Sequence, residues 1–190
     1  MTTTTPALGC ISKAEEKLRN MLAACTAFQT WVGAGVDPLT RIHIVELTVP
    51  TLDDEEPDQN YSLAELQSRR PFALISTPSE QPFSIDIVAS PNTPNQSGVL
   101  RIRLEENVPT ELERNYPEAY RRFLNTVGQI IHSEDATHPG LVELLGVCGS
   151  NYLNFYKLDV LDHMRTSSDD IPTMGDAHKC EIEIRWGATG

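Results

Sequence analysis

The chain has 190 residues and a formal net charge of −12, from 27 acidic and 15 basic side chains. That balance argues against a sequence-reading contact with nucleic acid, which needs clustered Lys and Arg to neutralise phosphates. It is compatible with an acidic passage along which DNA slides without sticking. A chain of this length can bury enough surface to fold without a metal or a disulfide. No apolar run approaches the ~20 residues of a membrane span.

Residues 1–11, MTTTTPALGCI, read as a flexible, threonine-rich tail, and 12–190 as one domain. Ser12 and Glu15 fit a capping box, in which serine and glutamate satisfy the first orphaned N–H groups of a helix. Ala14, Leu18, Met21, Leu22 and Cys25 recur at helical spacing behind it, so a helix is expected over about 12–27. It runs into an aromatic segment closed by glycines, FQTWVGAG (28–35). Cys25 reads as core packing rather than as a nucleophile. Trp31 has two readings, an interface anchor and a plug over the domain's own core. With no CxxC pair and no secretory apolar segment, Cys10, Cys25, Cys148 and Cys180 are expected as thiols in a reducing compartment, an extracellular disulfide pair being the lesser alternative.

A β-branched strand is expected over 41–47, followed by an acidic loop over 50–60. The run Asp53 to Asp58 supplies five carboxylates there. A second capping box, Ser62 and Glu65, opens a short helix that must stop before Pro71. A strand over 72–77 follows. Phe83, Ile85, Ile87 and Ala89 alternate with polar neighbours, as do Leu100, Ile102 and Leu104. The two runs flank a turn-rich loop, 90–98, and predict an antiparallel hairpin with a protrusion near Pro94 and Asn95.

The best-specified element is the helix over 116–132. Asn115 suits its cap, Pro117 its first turn and Glu118 the positive end of its dipole. Tyr120, Phe123, Leu124, Val127, Ile130 and Ile131 form one apolar stripe. Gly128 costs about 1 kcal/mol against alanine inside a helix, which predicts close approach by another backbone. The domain's own sheet is the preferred candidate and a neighbouring subunit the other.

Beyond a loop over 133–140, a short helix is expected over about 140–146, closed by Gly146 or Gly149. A long strand over 152–161 and a long loop over 162–176 come next. Cys180, Ile182, Ile184 and Trp186 then alternate with charged residues in a last strand, expected to pair with 152–161. The order of elements predicts an α+β fold: a mainly antiparallel mixed sheet of about five to six strands, flanked by the helices 12–27 and 116–132 and by shorter ones.

Motifs for chemistry are sparse. His132 and His138 bracket Glu134 and Asp135, but in a polar loop without the helical register of a metal site, so a solvated loop is expected. The 53–58 run lacks the spacing and glycine of an EF-hand. Gly33 and Gly35 are not flanked as a dinucleotide turn requires. The chain contains no GxSxG, HExxH or GxxxxGK[ST]. No catalytic residue, metal or cofactor is expected, and the protein reads as a non-enzyme.

Five segments in order carry a resemblance: FQTWVGAG (28–35), RIHIVEL (41–47), RPFALIST (70–77), FLNTVGQII (123–131) and EIEIRWG (181–187). Together they resemble the tail terminator, or tail-completion, proteins encoded among the head–tail joining genes of long-tailed bacteriophages. The resemblance spans roughly 12–187; the acidic 53–60 insertion and the 162–176 loop fit it least. It implies a virion structural protein, a small α+β subunit of a homo-hexameric ring at the top of the tail tube. The ring would end tube polymerisation and meet the head connector, with DNA passing through its lumen. Assembly in the bacterial host cytoplasm follows. Interface candidates are Trp31, Pro94, Asn95, Gly128, Asp169, Asp170, Ile171 and Met174, with the N-terminal tail lying on a neighbour. The alternatives are another neck protein, a head-completion or adaptor component, and, more distantly, a metal-dependent hydrolase whose His132, Asp135 and His138 converge.

Overall fold

A computed structural model describes residues 10–45, 68–78, 83–86, 95–107, 116–133, 135, 137–147, 153–164 and 177–189. The expected acidic loop, the Ser62 helix, the Asn115 cap, Pro94, and Asp169, Asp170, Ile171 and Met174 all lie outside them.

The first amphipathic stripe forms α1 (Cys10–Ala24). The stripe extends back through Ile11, which packs against the core, so the helix starts before Ser12. Cys10 and Ile11 thus belong to the helix rather than the tail, and Ser12 is an exposed interior position instead of a cap. Glu15 instead accepts a hydrogen bond from the Thr77 hydroxyl at 2.9 Å. The helix also ends earlier than expected. At Cys25 the backbone turns extended (φ −69°, ψ 119°) and a second helix, α2 (Thr26–Val32), begins. Phe28 and Val32, one turn apart, bury their side chains, so most of the aromatic segment is helical. Gly33 (φ 110°) and Gly35 (φ 79°) end it in backbone conformations that favour glycine.

The six-stranded sheet comprises β1 (Ile42–Val45), β2 (Phe72–Ser76), β3 (Phe83–Asp86), β4 (Asn95–Asn107), β5 (Leu153–Met164) and β6 (Ala177–Thr189). Its order is β1-β2-β4-β6-β5, with β3 also on β4. Among the described residues, β1 and β2 pair in parallel and the other four pairings are antiparallel. The long strands β4 and β6 run together from Asn95↔Thr189 to Asn107↔Ala177. On its other edge β4 takes β3 along 95–98 and β2 along 101–105. The hairpin is therefore present, but Asn95, Gln96, Ser97 and Gly98, expected in its loop, are paired strand. Likewise 162–164 extend β5 rather than opening a loop.

The 116–132 stripe forms α3 (Tyr116–Ile131), and α4 (Leu141–Val147) follows, with Gly146 inside it rather than closing it. Leu100, Ile102 and Leu104 of β4 and Cys180, Ile182, Ile184 and Trp186 of β6 share one face. They join Leu18, Leu22, Phe28, Phe123, Val127 and Ile130 in one core. Gly98 lies opposite Trp186 in the register, so no side chain stands across from the buried indole.

Gly128 does not pack on the sheet. It is exposed, and a Cβ built there would meet nothing within 4 Å among the described residues. The apolar stripe turns α3 so that Val127 and Ile130 face inward and the glycine outward, which overturns the preferred reading of its role.

Phe123 is 1% exposed and lies against the sheet-borne His178 with ring centroids 5.3 Å apart. Phe123→Ala is expected to lower the unfolding free energy by about 3–5 kcal/mol, read from the urea midpoint. A loss below about 1 kcal/mol would contradict its place in the core.

Candidate interaction surface

Among the described residues, polar surfaces on α3 and on the sheet and several polar clusters carry the chemistry. On α3, Arg121, Asn125, Gly128 and Gln129 follow one another at helical spacing, all exposed, with the exposed Arg122 beside them. The sheet face opposite the core carries a register-matched charge ladder. Arg101 lies across from Glu183 and Arg103 across from Glu181. Arg101 Nε and Arg185 Nε lie 3.8 and 3.7 Å from the Glu183 carboxylate. At one end of this face the ladder is buried. Arg70 Nε and Nη2 donate to Glu105 Oε2 at 3.1 and 3.0 Å, and Arg103 Nη2 lies 2.6 Å from Oε1. Phe72, 1% exposed, lies edge-on to the His43 ring in the same region. Burial, and then the charges of Arg69, Arg19 and Arg41, push the His43 imidazole below its ordinary value.

On the core side a second polar group closes the ladder. His178 is fully buried between the Tyr120 and Phe123 rings, and its Nδ1 lies 3.3 Å from Glu106 Oε1. Trp31 Nε1 donates to Glu106 Oε2 at 2.7 Å, and its ring leans on Phe28. Trp31 is half-buried and packs against the domain's own core. The alternations that place Leu104 and Cys180 on the core face, extended by one step, place Glu106 and His178 there too.

The third cluster sits where α3 meets α4. Glu143 Oε2 accepts the backbone N–H of Gly140 at 2.9 Å and of Ser133 at 3.1 Å, and Oε1 contacts His132 Nδ1. This is the glutamate half of a capping box whose N-cap is glycine. A Cβ on Gly140 would come within 2.8 Å of the Glu143 carboxylate and 2.9 Å of the Ser133 nitrogen, which explains the glycine. His138 turns to a different carboxylate, Asp135 Oδ2, at 2.6 Å. Hydrogen bonds from Thr137 and His138 hold that carboxyl well below its ordinary range. The two histidines thus serve separate partners, and no described group of three His, Cys, Asp or Glu is placed to hold a metal ion.

Cys25 and Cys180 are buried thiols. Burial pushes the Cys25 thiol up, and its Sγ lies 3.6 Å from the Ile130 carbonyl oxygen, as a packed core group. An open groove along α1 is lined by Lys13, Glu16, Lys17, Asn20, Met21, Ala24 and Leu144. No described helix is long and apolar enough to cross a membrane. Of the interface candidates, Gly128 is on a free surface, Asn95 begins β4 between Thr189 and Asp86, and Trp31 is half-buried. No protein-family model and no curated protein matches the chain.

Two outcomes test these clusters. Glu105→Ala leaves the buried Arg70 guanidinium without this carboxylate and is expected to cost about 3–5 kcal/mol, read by urea unfolding; a neutral effect would contradict the pairing. For Glu143, burial opposes the charged form, but the Ser133 N–H, the His132 ring and the Gly140 N–H outweigh it and lower its pKa. The unfolded chain therefore takes up this proton at higher pH than the folded one. The stability Glu143 contributes is complete above its unfolded value and drains away as pH falls through the folded one. Glu143→Gln should flatten the acid limb of stability below about pH 4.5; an unchanged slope would refute the assignment.

Proposed function

We propose that the chain is a tail-terminator-like ring subunit of a long-tailed bacteriophage, a virion structural protein that ends tail-tube polymerisation and joins tail to head connector. The observation that carries the reading is the order of the five resembling segments. Each supplies residues to the same core: Phe28, Ile42, Ile75, Phe123 and Ile184 all belong to it. The segments are thus parts of one folded unit.

The physical arrangement is compatible with this role. A ring is a closed set of heterologous contacts, so each subunit needs two different faces. The glycine-bearing face of α3 and the ion-paired face of the sheet are two such surfaces. A net charge of −12 suits a lumen through which DNA passes without adhering. The tail tube protein and the connector are the partners this reading names, and it has the N-terminal residues lie on a neighbour.

Mass photometry and negative-stain microscopy of the purified chain, alone and with tail tube protein, test the proposal. Closed rings of one stoichiometry are expected, six subunits under this reading. Deleting residues 1–9 should leave the subunit folded and shift the distribution towards smaller species. A chain that stays monomeric in every condition would overturn the proposal.

A further inference from the structure

We draw no further inference here: the strongest candidate, the arginine corner at the start of β1 where Arg19, Arg41 and Arg69 gather near His43, carries nothing, since Arg19 and Arg41 already donate to the Leu39 and Arg69 carbonyls and no described contact shows what else the corner would bind.

Discussion

The unbroken pairing of β4 with β6 is the constraint from which the rest follows. Its register sets Leu100 against Ile184, Ile102 against Ile182 and Leu104 against Cys180 on one face. The intervening pairs, Arg101 with Glu183 and Arg103 with Glu181, stand on the other. A slip of one residue would exchange these faces, burying guanidiniums and carboxylates under the helices. Hydrophobic patterning on two strands that are far apart in sequence thus fixes both the core and the charged surface.

The ends of that ladder are where local chemistry enters. At one end Glu106 faces His178, and α2 supplies the Trp31 indole as a further donor to the same carboxylate. A carboxylate on the core face demands such partners, because burying it unpaired is expensive. The bond from Trp31 therefore ties the helical layer to the sheet at a defined point. On the opposite face, one pair away, Glu105 is held by Arg70 and Arg103. Consecutive residues of one strand anchor the two sides of the sheet through different polar partners, Arg70 and Arg103 for Glu105 and Trp31 and His178 for Glu106.

Much of this was legible in the chain as period. The stripe Phe123, Val127, Ile130 gave α3 almost to the residue, and the alternation through Ile182 and Ile184 gave β6 and its pairing with β5. What period missed was set by tertiary context. Asn95 to Gly98 are turn-forming residues, yet they lie in strand because β3 holds them on one edge and β6 on the other. Ser12 has the chemistry of a cap, but Ile11 contributes apolar surface and draws the helix past it. The capping glutamate Glu143 carries no serine or threonine signal, because its N-cap is Gly140. The candidate surface was harder still. Gly128 was conspicuous in sequence, but whether it faced inward depended on how α3 rotates to bury Val127 and Ile130.

That rotation gives the two glycines opposite meanings. Gly140 is explained inside the subunit, since any side chain there strikes the Ser133 backbone and displaces Glu143. Gly128 is not: the same test finds open space. A residue that lowers helix stability without serving the fold must either be tolerated or serve a contact outside it. Among the described residues no contact chooses between the two: the exposed face of α3 around Gly128 carries charges of both signs, Glu118 with Arg121 and Arg122, so the glycine marks the point where packing inside the subunit stops accounting for the sequence.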